Sequence, residues 1–177
     1  MPLGFFAFGV GVILLTAIEL HWISQADAHN VPFVLLGFVA PLELLASIIA
    51  FLSRDTAAAT TLGVFALSWV PQAIVMLHQD GAASTTVGAF LVMIALMLAA
   101  LAIVAYAAKP LLSFILALAL LRNVCAAFVQ FGVSRLSTTA AIMGIVLTAF
   151  SIYGGAAFLI EDTKQTDVLP LFRRGAA

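Results

Sequence analysis

The chain has 177 residues, 64% of them hydrophobic and 8% charged, with a mean hydropathy of +1.22. This is a membrane composition and not a soluble one. Seven Lys and Arg against eight Asp and Glu give a net charge of −1, which argues against a nucleic-acid partner, and the single cysteine, Cys125, excludes an intramolecular disulfide.

A hydrocarbon core of roughly 30 Å takes about 20 apolar residues per helix. Six such stretches follow one another, expected at about 3–24, 31–52, 57–78, 84–107, 110–131 and 137–160, with a short cytoplasmic tail over 161–177. The breaks read SQADAHN, SRDTA, HQDGAAS, AAKP and GVSRL. They are too short to fold alone and long enough to join antiparallel helices. The reading is an all-α integral membrane protein: one compact bundle of six transmembrane helices in a single domain, 1–177. A β-barrel is disfavoured because the runs exceed 20 residues and lack period-two alternation.

The first span is too long for a secretory signal, lacks a basic start and has no small-residue cleavage site before His21, so it is expected to remain. It carries Ala7 and Gly11 four residues apart, then Glu19, and ends at His21 and Trp22, where an interfacial belt is expected. The second span carries Glu43. Pro71 in the third lacks an N–H and is expected to free a carbonyl near residues 64–66, with a simple kink as the default consequence. Gln72 follows it. The fourth ends at Tyr106, the belt position of the opposite face. In the fifth, residues 116–131 read LALALLRNVCAAFVQF, with Arg122 and Asn123 set into an apolar run and Cys125 as a small packing residue. The sixth has Ala140, Gly144 and Thr148 four apart, with Ser151 and Gly155 on a neighbouring ridge. These small residues pack either the helices of one chain or neighbouring subunits.

Lys and Arg in short loops are held on the cytoplasmic side. With the amino terminus inside, Arg54, Lys109, Lys164, Arg173 and Arg174 lie inside and only Arg135 lies outside. Both termini are therefore expected in the cytoplasm, and the chain is expected to be a multi-pass protein of the cell (plasma) membrane.

Ionisable groups within the spans are Glu19, Glu43 and Arg122, each costing at least about 2.5–3.5 kcal/mol at the bilayer centre. At 1.5 Å per residue, Glu43 lies roughly 2 Å from the midplane, Arg122 roughly 3 Å, Gln72 roughly 7 Å and Glu19 roughly 9 Å to its outer side. Equal depth and opposite charge predict an ion pair between Glu43 and Arg122. The competing reading has one or both lining a wet path, where Arg122 attracts an anion bidentately and a carboxylate carries a proton. Glu19, nearest an interface, fits snorkelling against lipid. His29 and His78, near Asp27 and Asp80, read as surface residues of the outer loops, without the ligand spacing of a metal site. No G-x-S-x-G, H-E-x-x-H or phosphate loop occurs, so neither catalysis nor a cofactor is expected.

Pro2-Leu3-Gly4 followed by Ala7-Phe8-Gly9 resembles the second half of the motif N-P-A-P-L-G-L-x-G-F-G of the acetate uptake transporters, also called succinate-acetate permeases. ILL at 13–15, Met143-Gly144-Ile145, Tyr153, Glu161 and Val168-Leu169-Pro170-Leu171-Phe172-Arg173-Arg174-Gly175 are similar to further parts of that family's pattern. The resemblance covers nearly the whole chain, as a diverged member. It implies a hexameric ring in which each subunit holds its own narrow path for acetate and related small carboxylates, described in the family as proton-coupled. It also implies an apolar constriction made by an aromatic of the amino-terminal motif, a tyrosine of the third helix and a leucine of the fifth. Phe8 matches the first; the second falls near Ser68 or Trp69, and the third near Leu118 to Leu120. The family's Q-x-x-A-G is replaced by Glu43-Leu44-Leu45-Ala46-Ser47, a carboxylate where the family has an amide.

The expected function is thus a membrane channel or proton-coupled transporter (symport) for acetate and related monocarboxylates. Phe8, Ser68, Trp69, Leu118 and Leu120 would narrow the path, and Arg122, Glu43, Gln72, Asn123 and Glu19 would be its polar groups. Two alternatives stay open: a channel for a neutral small solute such as urea, an amide or water, and a non-transporting sensor or assembly protein with a closed path.

Overall fold

The computed structural model describes residues 2–79, 82–165 and 168–171. Asp80, Phe172, Arg173, Arg174 and Gly175, which entered the readings above, lie outside the described residues.

Among the described residues, six helices are long and apolar enough to cross a membrane. They are α1 (Pro2–Glu19), α2 (31–52), α3 (Thr56–Gln79), α4 (Thr85–Ala108), α5 (Pro110–Gln130) and α6 (Ser137–Lys164). Among the described residues there is no strand. Pro110 opens α5, where its missing N–H costs nothing. Ser84 caps α4 by accepting the Val87 N–H, and Asp55 accepts that of Ala58 beside the start of α3.

The first span and the segment after it differ from the sequence reading, and α6 runs to Lys164, four residues past its expected end at 160. α1 stops at Glu19 and not near 24, because His21 adopts a left-handed backbone (φ 59°) and the Trp22 and Ile23 N–H groups fold back onto the Ala17 carbonyl. The following segment, expected as a loop, holds a one-turn helix, Gln25–Ala28, capped by the Ser24 hydroxyl. Within α2, Leu35–Val39 winds as a π-turn between two α-helical stretches, Val31–Val34 and Ala40–Leu52. α3 continues unbroken past Pro71, and the donor that Pro71 lacks would have served the Leu67 carbonyl, not one at 64–66.

Neighbouring helices close a ring in the order α1, α2, α3, α4, α5, α6 and back to α1, with the pairs α4–α5, α1–α6 and α2–α3 packed most extensively. The main core fills this ring with Phe5, Phe8, Val12, Leu35, Val39, Phe65, Trp69, Leu98, Leu116 and Leu147. Large apolar side chains such as Leu52, Leu67, Leu96 and Ile103 cover the outside, as expected of a surface that meets hydrocarbon. The small-residue stripe of α6 packs within the chain: a Cβ on Gly144 would strike Thr16 of α1, and one on Gly155 would lie 2.8 Å from the Phe6 ring. At the end of the bundle that holds Pro2, Lys109 pairs with Asp55 and ties the α4–α5 junction to the α2–α3 turn.

A candidate solute path along three helices

The side chains of α1, α3 and α5 converge on a line of three cavities. The largest, about 170 Å³, opens among Leu15, Glu19, Gln72, Val87, Arg122 and Gln130 at the end of the bundle that holds Glu19. A second, about 20 Å³, lies deeper among Phe8, Ser68, Trp69, Gln72, Arg122 and Asn123. A third, also about 20 Å³, sits toward the Pro2 end among Phe5, Phe8, Thr61, Phe65, Leu112 and Ile115. Leu15, Gln72 and Arg122 wall both the first and the second, and Phe8 and Phe65 wall both the second and the third. Two necks therefore divide one axis, the first polar and the second aromatic.

Arg122 stands at the polar neck and is only 5% exposed. Its Nη2 donates to Glu19 Oε1 at 2.9 Å. This corrects the expected pairing with Glu43. Equal Cα height is not adjacency: α5 packs between α4 and α6, whereas α2 packs on α1 and α3, so the two residues lie on different sides of the ring. The long arginine side chain also carries its charge along the axis toward Glu19, which is consequently a partner in the wall and not a lipid-facing snorkel. The pair is half-made. Glu19 Oε2 and Arg122 Nε are buried without hydrogen-bond partners, although a guanidinium can offer a carboxylate two parallel bonds. Thr16 Oγ1 and Thr148 Oγ1 are likewise unpartnered, and Thr16 Oγ1 and Arg122 Nε both face Gly144, the one residue there with no side chain to intervene.

Glu43 is fully buried, accepts the Trp69 indole N–H at 3.0 Å through Oε2 and leaves Oε1 unpartnered. It lines none of the three cavities; it sets the angle of a ring that does. That ring is seated on Gly11, where a Cβ would come within 2.9 Å of it. Gln72 and Asn123 line the second cavity and turn their amide N–H groups onto the carbonyls one turn back, Ser68 at 2.9 Å and Ala119 at 2.8 Å. Ser68 also lines this cavity, with its hydroxyl on the Phe65 carbonyl.

At the aromatic neck, Phe8 and Phe65 meet with ring centroids 4.4 Å apart, and Trp69 stands 6.1 Å from Phe8. Phe65 was not anticipated. Leu118 and Leu120, expected at the constriction, are half-buried residues packed against the core and line none of these cavities. Helical phase explains the difference: α5 turns Leu112, Ile115, Ala119 and Arg122 inward at spacings of three and four, and 118 and 120 flank that face. Among the described residues, no group of three His, Cys, Asp or Glu is placed to hold a metal ion.

No family model matches the sequence, and no curated protein aligns with it. Among solved structures, that of the bacterial acetate channel SatP has the same fold, with a TM-score of 0.85 over 96% of this chain and 96% of that chain. The identity is 16%, so the likeness is one of architecture.

Proposed function

We propose that the chain is a membrane channel for acetate and related small carboxylates, a diverged member of the acetate uptake transporters. The observation that carries this reading is the line of three cavities with a buried guanidinium at its first neck, inside the fold of an acetate channel. A guanidinium at low dielectric attracts an anion strongly and presents it with planar, paired donors. Beyond it, Phe8, Phe65 and Trp69 pass only what is narrow enough to shed most of its water. Arg54, Lys109 and Lys164 lie toward the Pro2 end and Arg135 toward the other, so the basic-residue rule turns the Glu19 end outward from the cytoplasm of a plasma-membrane protein.

The test is uptake of labelled acetate into liposomes containing the purified chain. Uptake well above that of empty liposomes is expected, and uptake equal to them at every external pH overturns the reading. Repeating the assay with and without an inward proton gradient decides between a simple channel and proton-coupled symport, and native mass spectrometry decides the hexamer.

A second reading, a channel for a neutral solute, draws on the wholly apolar side-chain lining of the Pro2-end cavity apart from Thr61. Competition among acetate, formate, succinate and urea in the same assay separates the two. The closed-path alternative loses its motivating ion pair, since Arg122 faces Glu19 and a cavity and not Glu43.

A further inference from the structure

We propose that Glu19 is a tethered competitor for the anion seat on Arg122, displaced by each incoming carboxylate, and that its charge restricts that seat to monoanions. The inference rests on the carboxylate-channel reading and concerns the same neck. Three observations carry it.

First, the two partners are unequally held. Arg122 is fixed in the protein interior, its side chain 6% exposed, whereas that of Glu19 is 21% exposed and borders the wide cavity. Of the two, Glu19 is the one free to swing. Second, Glu19 is the last residue of α1, at the negative end of the helix dipole, where a carboxylate is disfavoured. The helix does not hold it there; the guanidinium does. Third, the pair is joined by one hydrogen bond, while Arg122 Nε and Glu19 Oε2 are both buried without partners. A bound carboxylate can accept from guanidinium N–H groups that Glu19 leaves unused, and the cavity that Glu19 and Arg122 both line, about 170 Å³, exceeds by an order of magnitude the roughly 10–15 Å³ that one water requires.

The exchange follows from the cost of a lone buried charge. Removing one member of a buried pair is strongly unfavourable, so Arg122 keeps a carboxylate at all times, Glu19 at rest and the solute in passage. Swapping one carboxylate for another makes arrival and departure nearly balanced, which suits conduction better than tight binding. The displaced Glu19 remains in the cavity wall. A dicarboxylate seated on Arg122 would bring its second charge beside Glu19, and like charges at this range repel.

The experiment compares the unaltered chain, Glu19→Gln and Glu19→Asp in acetate uptake with succinate as competitor, alongside calorimetric binding of acetate to the detergent-purified chain. Glu19→Gln is expected to lower the half-saturation concentration for acetate about tenfold, to lower the maximal rate, and to turn succinate from a poor competitor into an effective one. Glu19→Asp, one methylene shorter, is expected to fall between, and serves if the Gln variant does not fold. Unchanged half-saturation and unchanged succinate competition in a folded variant overturn the inference while leaving acetate conduction standing. If the unaltered chain conducts no acetate, the channel reading falls, and calorimetry still decides this one: binding that tightens in Glu19→Gln supports it, and binding that is absent or unchanged overturns it.

Discussion

At the Glu19 end the candidate path opens into a cavity of about 170 Å³, walled by a guanidinium, a carboxylate and the amides of Gln72 and Gln130. At the Pro2 end it shrinks to about 20 Å³ between Phe5, Phe8, Phe65, Leu112 and Ile115. Under the proposed channel function, the two halves would divide the work of selection. Charge sits where the cavity is widest and hydration offsets part of the cost of burying it, and the narrow half uses aromatic rings, which need no counter-charge. Attraction and sieving are therefore separable, and substitutions can address each alone.

The most drastic way to break the contrast is Phe65→Ala. Truncating a buried phenylalanine costs about 3–5 kcal/mol, so the melting temperature of the detergent-purified protein should fall markedly. Liposomes containing it should admit urea and larger carboxylates that the unaltered chain holds back. If solute selectivity is unchanged, the aromatic neck is not the sieve. Arg122→Met removes the charge from the wide half only. A charge-assisted hydrogen bond of about 1.5–3 kcal/mol translates into an acetate uptake about 10- to 100-fold slower at low concentration, with any urea flux unaffected. Equal losses for acetate and urea would instead mean that Arg122 shapes the cavity and does not attract anions.

Glu43 sharpens the comparison from behind the wall. Glu43→Leu strands the Trp69 indole N–H in the core at a cost of about 1–3 kcal/mol, and Glu43→Gln keeps an acceptor for it. Thermal melts should rank the unaltered chain and Gln close together and Leu clearly below, and a Gln variant as unstable as Leu would show that the carboxylate does more than hold the ring. Lys109→Ala is the smallest change. The Lys109–Asp55 pair is partly exposed and worth up to about 1 kcal/mol, so stability should shift by little and acetate uptake not at all.

The architecture could be read from the chain because six apolar runs of sufficient length leave no other way to satisfy the backbone in lipid. What could not be read was local winding. The left-handed turn at His21 ends α1 five residues early, and nothing apolar marks the place. At the site, Arg122, Glu19, Gln72 and Phe8 were visible because polar groups in spans are scarce and because Phe8 follows a recognisable motif. Their partnership was not, since position along a helix gives height and says nothing of which neighbour stands on that side. Phe65 was missed because the third-helix aromatic was sought at 68–69. The inward spacing 61, 65, 68, 69 and 72 on α3 was the signal that could have found it.

The π-turn of α2 has a consequence for how this helix tolerates change in length. Its buried residues include Val31, Leu35, Val39, Glu43 and Ser47, a strict four-residue interval, which in a regular helix of 3.6 residues per turn drifts by about 40° at each step. The wider winding of Leu35–Val39 takes out part of that drift and keeps both halves of α2 on one face. Gly37 lies in that turn where an added Cβ would meet nothing, so deleting it removes no side-chain contact. The turn holds one residue more than regular winding needs, so the deletion lets it close as α-helix with both halves in phase, whereas one added residue rotates one half of α2 against the other by about 100°. With Glu43 kept against Trp69, Val31 and Leu35 would leave the core; with those two kept, the indole would lose its acceptor. An insertion of one residue acts here as a change of phase, read out in the tilt of a ring on the candidate path.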